Sequence, residues 1–476
     1  MHWISLALAF LLPLFLGAAF VDLLIARTSR GRAPLVWGNG MLLGLFIVPL
    51  VMRLQDLMGI PLTFPFTAAL LCALLFGAAL ARRWRARTAK IDALHIQQLP
   101  VLTAAQKVLF GVLALLILVR SVSLGMELVW HPLFGWDATM HWATKARVWF
   151  ATESIAPFVE NEQWLEMGGA GVYTDHHPGY PMTIPLLQVW VSSALGNWDE
   201  SLINLPWLVC FWGLGLAFYG QSRAAGATPV LSMTFTYLLL SLPLLNSHVA
   251  LAGYADLLMG VCYCAAIMAF HNWSVSREPG QGVLALLFIL FCPLVKNEGF
   301  YWSLTFLPAL VFALLPFRWA IAVFASGLLG LVAILLLMPP DLAVVSHSLE
   351  RLDLQYRPSA LRGIFISIWV QDNWHLFGYL LVSLSLLCLY PSGSVVRSYR
   401  GIITALLMAL ILFLVLFLFT KYARSAERFT AVGRISLHLV PSFMFMGLLL
   451  LEKVSSQASG RWSGMGTLFE TERKPD

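Results

Sequence analysis

The chain has 476 residues, 59% of them hydrophobic and only 11% charged, with a mean hydropathy of +0.79. Soluble domains carry about 25% charged residues, so a composition this poor in charge excludes a cytosolic enzyme, a nucleic-acid binder and a secreted domain. The formal net charge of +6 has to be read by location, because basic residues sort by side in membrane proteins.

In chain order, apolar runs lie near 3–26, 36–52, 62–81, 104–126, 201–222, 228–246, 252–272, 283–297, 299–316, 318–338, 374–391, 402–420 and 433–451. A spanning helix needs ~20 mostly apolar residues, so these runs predict an all-α polytopic membrane protein with about 13 transmembrane helices. The first run has no basic stretch before it, and Arg27, Arg30 and Arg32 follow it. That pattern reads as an uncleaved span with its N-terminus outside, not as a signal peptide. The run 181–196 is short and carries Pro181 and Pro185. Counted as a span, it would put Arg223, Arg277, Arg318, Arg397 and Arg400 outside, so it reads as a helix lying at the outer interface. Lys and Arg then gather inside and acids outside, as the positive-inside rule asks.

Two large outside segments follow from this topology, 127–200 and 339–373, and they direct the search for function to the outer face. The expected organisation is an N-terminal three-helix transmembrane addition at 1–103, a main transmembrane region at 104–453 and a polar cytoplasmic tail at 454–476. The six cysteines, Cys72, Cys210, Cys262, Cys264, Cys292 and Cys388, all fall in apolar runs, which suits packing better than a disulfide framework or a thiolate metal site.

Ionisable groups near membrane depth are costly and mark functional sites. The first cluster runs from His131 through Gly135, Trp136 and Asp137 to Arg147. A helix from Asp137 onward would put Asp137, His141 and Lys145 on one face at i, i+4, i+8. Ala138, Trp142 and Trp149 would form a second stripe. This is the pattern of an interfacial helix with its tryptophans in lipid, or of a plain salt-bridged surface helix. The second cluster is Tyr173-Thr174-Asp175-His176-His177-Pro178-Gly179-Tyr180, which suits metal, phosphate or simply a Pro-rich turn. The third is Asp256 after Gly253-Tyr254, where an acid also suits a helix N-terminus. The fourth is Lys296-Asn297-Glu298-Gly299. The fifth is Lys421, Arg424, Arg428, Arg434 and His438 around the last outside loop, where cations run against the positive-inside rule and an anionic ligand or lipid headgroups would explain them. Gly38-Asn39-Gly40 and Gly168-Gly169-Ala170-Gly171 lack the strand-turn-helix setting of a nucleotide loop.

Taken together, Gly135-Trp136-Asp137 after a span, the stretch His177-Pro178-Gly179-Tyr180-Pro181 and the lysine step Lys296-Asn297-Glu298-Gly299 resemble the GT-C superfamily of polytopic glycosyltransferases. That superfamily includes protein O-mannosyltransferases and lipid A aminoarabinose transferases. The likeness covers roughly 104–450 and rests on the order and sidedness of loose motifs. It implies inverting transfer of a sugar from a polyprenyl-phosphate donor to an acceptor hydroxyl, with Asp137 as general base. Lys145, Arg147, Lys296, Arg424 and Arg428 would then hold the donor phosphate. Trp136 and Tyr180 would stack on the sugar. His176 and His177 would orient the acceptor or bind a divalent cation. His141, Asp175, Asp256, Glu298, Arg434 and His438 complete the expected substrate-binding set.

One departure from the family stands out. Members often have adjacent acids, whereas Ala138 follows Asp137 here, so a second carboxylate would come from Asp175 or Asp256. The implied partners are the lipid-linked sugar, membrane lipid and a glycan, lipid or protein acceptor, with no nucleic acid. The implied setting is a bacterial inner membrane with the site on its periplasmic side. The competing functions are a flippase or transporter for lipid-linked glycans and an O-antigen-type ligase.

Overall fold

The computed structural model describes residues 2–88, 102–337, 343–344, 347–348, 354–389 and 394–471. It is helical almost throughout. The first four helices are long: α1 (His2–Leu24), α2 (Arg32–Leu57), α3 (Phe64–Thr88) and α4 (Ala104–Trp130). A mixed segment follows, made of a π-helical turn (Ala138–Ala143), α5 (Thr144–Thr152), β1 (Phe158–Val159), α6 (Asn161–Glu166), β2 (Tyr173–Thr174) and α7 (Thr183–Leu195). β1 and β2 pair in parallel.

The chain then re-enters apolar helices: α8 (Leu205–Ala224), α9 (Pro229–Leu240), α10 (Pro243–Ala250), α11 (Ala255–Ser276), α12 (Pro279–Val295), α13 (Glu298–Leu304), α14 (Phe306–Leu314) and α15 (Phe317–Leu337). A two-residue antiparallel pair, β3 (Ala343–Val344) and β4 (His347–Ser348), comes next. The C-terminal part holds α16 (Ala360–Phe365), α17 (Phe377–Leu389), α18 (Ser394–Phe419), α19 (Ala423–Glu427), α20 (Val432–Leu437) and α21 (Val440–Thr471). α21 carries the helix on through most of the expected polar tail.

Among the described residues, eight helices are long and apolar enough to cross a membrane, or nine if α9 and α10, bent by 60° at Ser241–Leu242, form one broken span. In lipid every backbone group has to be satisfied within the chain, and helices this apolar make the chain an integral membrane protein. The runs expected at 283–297, 299–316 and 374–391 form shorter apolar helices. Pro279 opens α12, and the chain breaks at Lys296. The expected outside segment 339–373 lies partly outside the described residues, as does 89–101 of the inside connection.

α11 is the hub. Nearly every residue from Ala255 to Asn272 is buried, and it packs against α8, α12, α18 and α21. The first three helices pack into the same bundle: α2 runs along α8, and α1 and α2 both touch α7. α1 and α2 approach with almost no space between them, since a Cβ on Gly44 would sit 2.0 Å from the carbonyl oxygen of Pro13. Gly40 and Gly44, one turn apart, supply the small-residue face that lets two membrane helices meet at backbone distance.

Two expectations for the segment after α4 are corrected. α7 forms where the interfacial helix was placed, but it is buried on all sides, with Gln188 and Ser192 fully enclosed. Protein covers it, and the indole N–H of Trp190 donates to the carbonyl of Ala9 at 2.8 Å. Trp142 and Trp149 likewise point into the core, whereas Trp136 is 70% exposed. Cys72, Cys210, Cys262, Cys264 and Cys292 are free, and all of these but Cys72 are buried.

Candidate functional site

α4 ends at Trp130, and Pro132, lacking an N–H, cannot continue it. The chain crosses from there to Asp137 over the Tyr254 ring. Gly135 makes this possible: a Cβ at that position would fall 2.2 Å from Cε2 of Tyr254. Tyr254, just ahead of α11, is held by the Trp207 indole N–H, which donates to its carbonyl at 2.8 Å. The Arg434 guanidinium lies over the Tyr254 ring, 4.6 Å from its centroid, a cation–π distance.

Arg434 joins two carboxylates from distant parts of the sequence. Its Nη2 donates to Oδ2 of Asp137 at 2.7 Å, and its Nε donates to Oδ2 of Asp256 at 3.1 Å. Asp256 sits in the first turn of α11, where unpaired N–H groups favour an acid. Its side chain is completely buried, which a carboxylate tolerates only when paired and hydrogen-bonded. The pairing is dense. Lys296 Nζ donates to Oδ1 of Asp256 at 2.7 Å and lies 3.4 Å from Glu298.

His438 Nε2 lies 3.0 Å from the same Oδ1 of Asp256. The Trp302 indole N–H donates to His438 Nδ1 at 3.1 Å. An Nδ1 that accepts carries no proton, so the ring is the neutral Nε2–H tautomer and donates to Asp256. The network therefore contains three carboxylates, Asp137, Asp256 and Glu298, against two cations, Lys296 and Arg434. Asp256 is the second carboxylate that Ala138 does not supply.

A second cluster adjoins the first. Asp175 accepts from His141 Nδ1 at 2.5 Å and from the backbone N–H of His177 at 3.1 Å, and it pairs with Lys145 at 2.9 Å. Lys145 Nζ also donates to the carbonyls of His177 at 2.7 Å and Pro178 at 3.2 Å. With two hydrogen bonds to that turn and an ion pair to Asp175, Lys145 fastens the 175–180 turn to α5. Burial would raise the Asp175 carboxyl, but the hydrogen bond and charge of Lys145, with His141 and the His177 N–H, hold it below the usual carboxylate range. Burial pushes the Lys145 ammonium down against the pull of Asp175. Burial, then the nearby His141, lowers His177.

The Tyr180 ring is sandwiched. Trp142 stacks on it at 4.8 Å and 18°, and His177 at 4.8 Å and 16°. Both faces are occupied, so the sugar-stacking role expected of Tyr180 does not fit this arrangement; its hydroxyl, raised by burial, lies within electrostatic reach of Lys296, Glu298 and Asp137. That reach joins the two clusters into one region.

The i, i+4, i+8 face expected for Asp137, His141 and Lys145 is corrected by the π-helical turn. Its i→i+5 bonding takes up an extra residue. Asp137 turns to Arg434, while His141 and Lys145 converge on Asp175. Of the other expected residues, Arg147, His176, Arg424 and Arg428 are exposed, and among the described residues none forms an ion pair with the Asp137–Arg434–Asp256 network. The C-terminal cationic group therefore divides, with only Arg434 and His438 turned inward. Trp302 belongs to the site and was missed, and Tyr254, noted beside Asp256 in the third cluster, was given no role there. An aromatic in an apolar run carries no sign of the polar partner it will meet. Among the described residues no three His, Cys, Asp or Glu side chains are grouped to hold a metal ion. No family model, curated protein or solved structure matches the chain.

Proposed function

We propose that this chain is an inverting glycosyltransferase of GT-C type, with about 13 spans once the shorter apolar helices are counted. It moves a sugar from a polyprenyl-phosphate donor to an acceptor hydroxyl at the outer face of a bacterial inner membrane. One observation carries the reading: Asp137, Asp256, Lys296, Glu298, Arg434 and His438, drawn from four separate stretches of sequence, form one network of ion pairs and hydrogen bonds whose Asp137 end is open.

Asp137 is the base in this scheme. It is 26% exposed and engages Arg434 through Oδ2, which leaves Oδ1 for an acceptor hydroxyl. The acceptor oxygen attacks the anomeric carbon as its proton passes to Asp137. The bond from that carbon to the phosphate oxygen breaks, and the electron pair leaves with the polyprenyl phosphate. Arg434 is the group suited to the leaving phosphate. With carboxylates already in excess, it reaches the phosphate by exchanging Asp137 for it, and this exchange frees the base when the donor arrives. Lys296, held between Asp256 and Glu298, supplies a fixed positive charge behind the site. Purified protein in nanodiscs, incubated with polyprenyl-phosphate hexoses or pentoses and a membrane-extract acceptor pool, is expected to release polyprenyl phosphate and glycosylate an acceptor. Translocation of the donor without cleavage would instead favour a transporter, the reading to which the 60° break between α9 and α10 lends support.

A further inference from the structure

Starting from the end of the bundle opposite Asp137, two cavities join along α4. The first, about 670 Å³, is lined by Arg32, Lys107 and Arg223 together with Pro34, Phe110 and Tyr219. The second, about 660 Å³, shares Pro34, Phe110 and Tyr219 and continues between α4 and α8 past Ala114, Leu118 and Trp212. Its walls are almost wholly apolar. The joined groove thus has a cationic head and an apolar body.

The head has features of an anion site. Arg32 opens α2, and Gly31, Arg32, Ala33 and Pro34 of that helix start line the cavity. Lys107 is exposed and has no carboxylate partner among the described residues. Arg223 donates to the Ala227 carbonyl and has Arg30 and Glu452 in electrostatic range. Asp22, the nearest acid to Arg32, is already shared between Arg32 and Arg82. Arg223, at the cationic head, lies on the order of 25 Å along α8 from the Trp207 that holds Tyr254, at 1.5 Å per residue, and the apolar body runs back along α8 as far as Leu208. Charge sorting assigns this end to the cytoplasmic side.

We propose that this groove binds one anionic phospholipid of the cytoplasmic leaflet, with its phosphate among Arg32, Lys107 and Arg223 and an acyl chain between α4 and α8. The match of charge with continuous apolar wall selects a lipid over a free anion: basic pockets between helices on this side recognise anionic headgroups, and each methylene buried against the wall adds to the affinity. The lipid would mortar the thinly packed α4, on which the Asp137 loop hangs, to the bundle.

Full-length protein, delipidated in detergent, tests this by native mass spectrometry and thermal unfolding with dioleoyl phosphatidylglycerol, dioleoyl phosphatidylcholine or inorganic phosphate. Phosphatidylglycerol is expected to bind at least about ten-fold more tightly than phosphatidylcholine and to raise the unfolding midpoint. Lys107→Glu should remove most of that preference, and Ala114→Trp, which fills the groove, should weaken both lipids. Equal binding of the two lipids, the same midpoint shift from phosphate alone, or indifference to both substitutions would overturn the proposal. If Ala114→Trp does not fold, Lys107→Glu at an exposed position decides alone. None of these outcomes depends on sugar transfer.

Discussion

Asp256 is the residue on which the others are arranged, and its surroundings set how each neighbour responds to substitution. Lys296→Met leaves a completely buried carboxylate with one fewer cation, and removing one partner of such a pair costs about 3 kcal/mol. A drop in unfolding midpoint much larger than that of Trp302→Phe is therefore expected in detergent. Trp302→Phe removes only the indole donor to His438, a loss of about 1 kcal/mol. Similar midpoints for the two variants would contradict the network as described.

Asp175 makes a pH-dependent contribution. Its carboxyl is held below the ordinary value near 3.9, so the stability it adds is present above about pH 4 and is lost as the pH falls through the depressed folded value. Asp175→Asn should be less stable than wild type at pH 7, with the gap closing as the pH is taken below 4. A gap that stays constant down to pH 3 would remove Asp175 from the ionised role assigned to it. At this scale the sequence made the participants visible but not their pairing. Asp137, Asp256, Lys296, Arg434 and His438 stand out because charge is scarce near membrane depth, whereas the partners follow from close approaches that no local spacing encodes.

The elements show where periodicity holds and where it fails. Long runs such as α1, α2, α4 and α11 lie where the apolar pattern puts them, because only a helix satisfies its own backbone in lipid. Shorter pieces escape that rule. α7 is mostly apolar, with Thr183, Gln188, Ser192 and Ser193 as its polar residues and no charge, so its sequence could not distinguish a lipid interface from the protein interior it occupies. The π-helical turn at 138–143 redirects Asp137 away from His141 although the residues between them read as ordinary helix.

Gly135 is the element-level test. Gly135→Ala must push the Tyr254 ring or lift the Asp137 loop, since its Cβ would lie 2.2 Å from that ring. Overpacking of this kind costs about 1–3 kcal/mol, and it should displace Asp137 from Arg434, lowering transfer more than global stability. Unchanged transfer in Gly135→Ala would show that the loop's seat on Tyr254 is not needed.

At the scale of the whole molecule, the segregation of charge and the arrangement of long helices agree on a polytopic protein with its ionised network at one end and its arginine-rich connections at the other. That much followed from composition, because the free energy of burying charge in lipid is large enough to override local detail. Sidedness can be measured without knowing the substrate. Thr139 and Thr28 are both exposed, at opposite ends of the bundle. In intact cells, a membrane-impermeant maleimide should label Thr139→Cys and not Thr28→Cys. Labelling of Thr28→Cys alone would invert the topology.

The central claim, that the open end of the network carries out sugar transfer with Asp137 as base, is tested most directly by donor binding and transfer measured side by side in Asp137→Asn. The account predicts that the variant still binds the polyprenyl-phosphate sugar, because Arg434 and Lys296 remain, while transfer falls at least about 100-fold, the scale of a lost general base. Transfer by Asp137→Asn at the wild-type rate would contradict it.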